Sequence, residues 1–203
     1  MPRKKILVLG ENPPISYLNA LKRVGIDYDC RFFAKDFSAY RGLLLTGGGD
    51  VLPAYYGKNT DAENINIVRD ETELNAIDYF IKNSLAVFGV CRGLQILNVF
   101  FGGTLKCVPN HLGKGEVYAS HPVKSTFDKD FPFALVNSYH RQAIDKVGKG
   151  GKVLLLSFDG VIEAVSFTPY VFGVQFHPEK AEKRFADYFY GKFAEIINLP
   201  RRK

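Results

Sequence analysis

The stretch Ala86-Val-Phe-Gly-Val-Cys91-Arg-Gly-Leu-Gln95 constrains this chain more than any other. A continuous apolar run of strand character stops at a cysteine, with glycines at 89 and 93. A helical pattern starts at once, with Leu94, Leu97 and Phe101 on one face and Gln95 and Asn98 on another. A tight strand-to-helix turn lifts its central side chain clear of the backbone, and the glycines remove side chains that would crowd it. The sulfur of Cys91 would then sit over the first helical turn, where unpaired amides and the helix dipole favour a thiolate. A lone cysteine in an apolar stretch usually reads as structural. Here the glycine spacing and the change of period point to a nucleophile.

The same alternation of strand and helix runs through the first half. Residues 6–9 read as a strand, 15–24 as a helix stopped by Gly25, 28–33 as extended, and 42–46 as a second apolar strand ending in Gly47-Gly-Gly-Asp50. Asp70-x-x-Glu73 has the form of a capping box for a helix over 71–83, a structural role. Strand 85–90 and the helix after Cys91 follow. Continuous apolar strands separated by helices predict a parallel sheet covered on both faces. The second half is richer in strand signals, with runs at 152–158, 161–167 and 170–176 joined through Asp159-Gly160 and Thr168-Pro169 turns. An amphipathic helix is expected over 181–197. The expected fold is thus α/β and doubly wound, mostly parallel with added antiparallel strands, in one domain over 1–203. In such sheets, function gathers in loops at the carboxyl ends of the strands.

Composition narrows the class. At 203 residues the chain can bury a sizeable core, and no apolar run is long enough to span a bilayer. The first apolar stretch, Ile6-Leu-Val-Leu9, is too short for a secretory signal. Three cysteines at 30, 91 and 107 suit neither a disulfide framework nor a zinc site, so reduced thiols in a cytoplasm are expected. The net charge of +6 is dispersed, with small clusters at residues 3–5 and 201–203. It reads as a solvated surface with basic tails, and no nucleic-acid module is recognisable. No membrane partner, metal or cofactor is expected, and a homodimer is compatible.

A cysteine nucleophile needs a base, and the base an orienting group. Of four histidines, His177 in Gly173-Val-Gln-Phe-His177-Pro178-Glu179 has the best context. Pro178 biases His177 to an extended backbone, which would place His177 and Glu179 on one side of the chain. Glu179 could hold one imidazole nitrogen while the other faces the thiol. An acyl-transfer site also needs oxyanion donors. The Arg92 amide and the glycine loop at Gly48 and Gly49 are candidates. The loop taken alone would also suit a phosphate cradle or a plain turn, but it lacks the Lys-Ser/Thr of a Walker loop and the spacing of a dinucleotide fold.

Taken in order, Leu45-Thr-Gly-Gly-Gly49, Gly89-Val-Cys91-Arg-Gly-Leu-Gln95, Gly102-Gly-Thr-Leu105 and Gly173-Val-Gln-Phe-His-Pro-Glu179 resemble the class I, or triad, glutamine amidotransferase domain. Further residues resemble its γ-glutamyl hydrolase branch, peptidase family C26, and within it the group that includes γ-glutamyl-γ-aminobutyrate hydrolase. These are Asp50-x-x-Pro-x-x-Tyr56-Gly57, Arg69-Asp70-x-x-Glu73, Val136-Asn-Ser-Tyr-His140-x-Gln142 and Asp159-Gly-x-x-Glu163-Ala. The resemblance implies a flavodoxin-like fold and a Cys91–His177–Glu179 triad that attacks a γ-glutamyl carbonyl and forms a thioester. It also implies a small γ-glutamyl substrate held by Gln95 and by Asn137 through His140, with Ser138 and Tyr139 facing the glutamyl backbone. His140 itself reads equally as a surface-loop histidine. The segment 11–41 is shorter than in long members of the branch, which bears on the leaving group. The competing reading is a glutaminase subunit that feeds ammonia to a synthetase partner.

Overall fold

The computed structural model describes residues 5–10, 12–57, 61–112, 119–128 and 131–199. The terminal basic clusters, apart from Lys5, lie outside these residues.

The chain runs β1 (Ile6–Leu9), α1 (Ile15–Arg23), β2 (Tyr28–Arg31), β3 (Gly42–Leu45), α2 (Ile67–Lys82), β4 (Ala86–Val90), α3 (Arg92–Phe100) and β5 (Thr104–Cys107). Then follow β6 (Ala119–Ser125), β7 (Leu135–Ser138), β8 (Gln142–Lys146), β9 (Lys152–Ser157), β10 (Ile162–Thr168), β11 (Val171–Val174) and α4 (Lys183–Ile197). Among the described residues, nine strands form one sheet in the order β2-β1-β3-β4-β11-β10-β9-β6-β7, and β5 pairs with β8 apart from it. From β2 to β11 the neighbours are parallel; from β11 to β7 they are antiparallel. The order 2-1-3-4 followed by a last parallel strand is the doubly wound arrangement of flavodoxin-like sheets.

The reason these strands read as continuous apolar runs is visible in the packing. Successive side chains point to opposite faces, and both faces are covered. Ile6, Val8, Leu44, Phe88 and Val90 pack with Tyr17 and Leu21 of α1 and Phe185, Phe189 and Phe193 of α4. Leu7, Leu9, Leu43, Leu45 and Val87 pack instead with Ile77 and Phe80 of α2 and Leu94 and Leu97 of α3. Phe88 stacks on Phe172 at 4.5 Å between ring centroids and meets Tyr190 edge-on. Each such fully buried side chain contributes about 1.5–3 kcal/mol from burial. Gly25, at φ +71, ends α1 as the sequence predicts. Among the described residues, no helix is long and apolar enough to cross a membrane.

Two local expectations are corrected. Helix α2 starts four residues before the expected position, because Asn66 caps it by accepting from the Arg69 amide at 3.1 Å. Asp70 and Glu73 therefore do not form a capping box; both are buried inside the helix face that meets α3. The four strands β5 to β8 were not expected. Their apolar signal is broken by polar residues such as His121, Asn137 and Gln142, and Pro122, a residue that argues against a strand, falls inside β6.

Candidate active site

Three loops meet at the carboxyl edge of the parallel strands: the glycine loop after β3, the turn after β4, and the segment after β11. At the second, Cys91 sits immediately before α3 with φ +55 and ψ −108. That backbone conformation is costly for a residue with a Cβ and persists only where the surroundings impose it. The flanking glycines show what imposes it. A Cβ at Gly89 would collide with the backbone of Gly93, and one at Gly93 with the Leu45 carbonyl. The helix thus starts almost on top of the strands. The Cys91 amide donates to the Val174 carbonyl of β11 at 2.8 Å, which fixes the turn to the strand that leads to His177.

His177 makes a side-chain hydrogen bond with Cys91, and its Nδ1 pairs with Glu179 Oε1 at 2.7 Å. Burial by itself would lower the His177 pKa. The charge and hydrogen bond of Cys91, then those of Glu179, outweigh it and raise the value to about 10. An imidazolium is therefore held against the sulfur at neutral pH. The expected extended run is corrected: His177, at φ −109 and ψ 85, caps one turn of 3-10 helix formed by Pro178–Lys180, and this turn brings Glu179 back to the ring.

The structure also shows what holds the histidine. Asn137 of β7 grips the main chain of His177 on both sides, accepting from its amide at 2.8 Å and donating to its carbonyl at 2.8 Å. Asn137 was expected to line the substrate pocket; it instead makes a two-bond clamp across to the antiparallel half of the sheet. Tyr17 of α1 brings its hydroxyl to 3.4 Å from His177 Nδ1 and accepts from the Gly47 amide at 3.0 Å. Burial, then the charge of Glu179, raises its pKa well above the ordinary tyrosine value, so the phenol stays protonated. Gln175 approaches the sulfur, with Nε2 at 3.7 Å from Cys91 Sγ.

Gly48, Gly49, Gln95, Tyr139 and His140 line one cleft with Cys91 and His177. Gln95 is anchored there by a bond from its Nε2 to the Gln142 carbonyl at 2.7 Å. His140 is buried, with Nδ1 at 3.0 Å from the Gln142 carbonyl, so it is not a surface-loop histidine. Burial and then the neighbouring His111 push its pKa down to about 3, leaving it neutral. Ser138 does not face the cleft. Its hydroxyl is fully buried and donates to the His111 carbonyl at 2.9 Å, because strand alternation turns it to the opposite side from Tyr139. Asp50, Asn64 and Arg141 are also part of the cleft wall.

Behind the glycine loop lies a buried four-residue ion network. Arg69 Nε donates to Glu73 at 2.8 Å, and the Arg92 guanidinium pairs with both Glu73 and Asp70. Asp70 in turn accepts from the Leu52 amide at 3.0 Å. The Arg92 side chain is thus spent inside this network and not on the cleft. Burial would raise the Glu73 pKa, but Arg69 and Arg92 together lower it. Removing one member would leave an uncompensated buried charge, at a cost of about 3–5 kcal/mol.

A second polar cluster adjoins the cleft wall. His111 Nε2 is 2.8 Å from Asp159, and His121 Nε2 is 2.8 Å from Glu163. Among the described residues, donor atoms of His111, His121 and Glu163 lie within 4.8 Å of one another, a set able to hold a metal ion. These atoms already satisfy much of their bonding through one another.

Tyr17, Arg69 and Gln175 carry no signal in the sequence that marks these contacts. Tyr17 sits on the apolar stripe of α1 and reads there as core. Arg69 was visible only as part of the Arg69-Asp70-x-x-Glu73 pattern.

A glutamine amidotransferase structure from Methylobacillus flagellatus superposes with a TM-score of 0.73 at 14% identity, covering 98% of this chain and 97% of that one, which shows the fold. A Schizosaccharomyces pombe protein whose name assigns it provisionally to the glutamine amidotransferases is 34% identical over 155 residues, 68% of this chain and 61% of its own length. The γ-glutamyl-CDP-amidate hydrolase of Campylobacter jejuni is 31% identical over 71% of this chain and 67% of its own length. The γ-glutamyl-γ-aminobutyrate hydrolase of Escherichia coli is 29% identical over 71% of this chain and 66% of its own length. The chain spans about two thirds or less of the length of these curated relatives. The peptidase C26 profile matches residues 26–179, and the chain belongs to the peptidase C26 family.

Proposed function

We propose that this protein hydrolyses the γ-glutamyl amide bond of a small γ-glutamyl conjugate through a Cys91 thioester. The observation that carries the reading is the hydrogen-bonded Cys91–His177–Glu179 array open to a cleft at the sheet edge. The names of two relatives, both γ-glutamyl hydrolases, support the substrate class.

In the first half-reaction the Cys91 thiolate attacks the γ-carbonyl carbon, forming a C–S bond while the carbonyl electrons move to oxygen. The amides of Gly48 and Arg92 receive that oxyanion. The intermediate collapses, the C–N bond breaks, and His177 gives its proton to the departing amine. In the second, water adds to the thioester as His177 takes a proton from it, the C–S bond breaks, and glutamate leaves. Gln95, Tyr139 and His140 hold the glutamyl group, Glu179 orients the imidazole, and no cofactor takes part. The three free cysteines suit a reducing cytoplasm.

The test is an assay of the purified chain, without any partner, on glutamine, γ-glutamyl-γ-aminobutyrate, a γ-glutamyl nucleotide amidate and γ-glutamyl-p-nitroanilide. Turnover of γ-glutamyl amides with release of glutamate is expected. Activity that appears only after a synthetase is added would transfer the protein to the ammonia-supplying class.

A further inference from the structure

We infer that Arg69 is a positioning residue that locks the glycine loop in its anion-accepting orientation, so that the site is complete without a partner protein. The inference rests on the thioester reading above.

Arg69 divides its guanidinium between two tasks. Nε holds Glu73 at 2.8 Å, while Nη2 donates to the Thr46 carbonyl at 2.9 Å, the Gly47 carbonyl at 3.0 Å and the Thr46 hydroxyl at 3.3 Å. Two successive loop carbonyls are thereby turned towards one buried cation. A trans peptide puts its N–H opposite its C=O. In the peptide between Thr46 and Gly47, that N–H is already used, since the Gly47 amide donates to Tyr17 at 3.0 Å. The next peptide is different. With the Gly47 carbonyl held by Arg69, the Gly48 N–H must point the other way, and among the described residues it has no hydrogen-bond partner. Gly48 lines the cleft that contains Cys91 and His177. Its neighbour Gly47 is packed so tightly against them that a Cβ there would lie 3.0 Å from His177 Cε1 and 3.8 Å from Cys91 Cβ.

The far end of the same network reaches the other amide. Glu73 links Arg69 to Arg92, and Arg92 is the residue after the nucleophile. One buried ion chain therefore sets the relation between the two strands' loops that supply Gly48 and Arg92. A peptide joining two glycines would otherwise rotate with little steric resistance. Gly48 also has to be glycine for the lock to fit, because a Cβ there would strike the Arg69 guanidinium.

The experiment compares wild type, Arg69→Lys and the charge-balanced double variant Arg69→Met/Glu73→Gln in the full chain. Lysine keeps a positive charge for Glu73 but cannot fork between the carboxylate and two carbonyls. Three readouts are taken beside a thermal melt: hydrolysis of γ-glutamyl-p-nitroanilide, acetylation of Cys91 by p-nitrophenyl acetate, and alkylation of Cys91 by iodoacetamide. The first two pass through an oxyanion. Alkylation does not, since the sulfur displaces iodide at a saturated carbon. Folded variants should lose about 10²–10³-fold in both acylation rates, the scale of one lost oxyanion donor, with alkylation kept within about twofold. Alkylation falling in step with acylation would make Arg69 a support of the nucleophile turn and overturn the inference. Unchanged acylation, or failure of both variants to fold, overturns it as well. If wild type is acetylated by the ester and shows the same split on substitution but leaves every γ-glutamyl amide intact, the substrate reading falls and the role of Arg69 stands.

Discussion

The parallel strands β1 to β4 and β11 present Cys91, the glycine loop and His177 at their carboxyl ends, whereas β7 and the turn after it bring Asn137 and His140 from the antiparallel side. The glycine-loop side and the His177 side of the site are held by different physics. Behind the glycine loop the parallel half uses buried charge, with Arg69, Glu73, Arg92 and Asp70 compensating one another. On the His177 side the fixing contacts of Asn137 and Tyr17 are neutral. A second fixed charge beside His177, beyond Glu179, would alter the proton affinity on which its two roles depend. A neutral clamp on the main chain fixes the ring's position and leaves its titration to Cys91 and Glu179.

This contrast can be broken at several points. Cys91→Ala should abolish γ-glutamyl amide turnover, a loss of about 10⁵–10⁶-fold by steady-state assay, since no other group can form the thioester. Ordinary activity in that variant would refute covalent catalysis. Glu179→Gln removes an orienting group and not a reacting one, so its kcat should fall by a smaller factor, about 10²–10⁴-fold. A loss equal to that of Cys91→Ala would mean its part is misassigned. Asn137→Ala should lower kcat by about 10–10²-fold with KM little changed, because it lets the imidazole drift without touching substrate. A rise in KM with kcat preserved would return Asn137 to the substrate pocket.

The pH profile gives the subtlest separation. The His177 imidazolium must donate a proton to the leaving amine, and its pKa is raised to about 10. The donor form is therefore present through neutral pH and lost as pH rises through that value, so kcat/KM should fall on the alkaline side near pH 10. Glu179→Gln, which deletes one of the raising groups, should move this limb to lower pH. Asn137→Ala should leave it in place. A limb that shifts in Asn137→Ala would show that the neutral clamp also tunes the proton.

Much of the parallel half was legible in the chain. Strands buried on both faces must be apolar throughout, so residues 6–9, 42–45 and 86–90 announce themselves, and the glycines at 89 and 93 mark a crossing too close for side chains. The order of the motifs singles out Cys91, His177 and Glu179, which the fold brings together at one edge of the sheet. The antiparallel half was harder to read. Asn137 is spent on another segment's backbone and Ser138 on the His111 carbonyl, so their polarity looks the same in sequence as that of substrate ligands. Asp70 and Glu73 show the same ambiguity: at that spacing, a capping box and two buried carboxylates that bind arginines are written with identical letters.

What the sequence by itself determined is local: where the chain alternates, where it must turn tightly, and which residue types are able to do acyl-transfer chemistry. Which partner each polar side chain takes was decided only by the tertiary structure. Tyr17 meets His177 across 160 positions and Arg92 meets Glu73 across 19, contacts that exist because the sheet order places their elements side by side. A buried polar group must find a partner wherever the packing offers one, and the packing is a property of the whole fold.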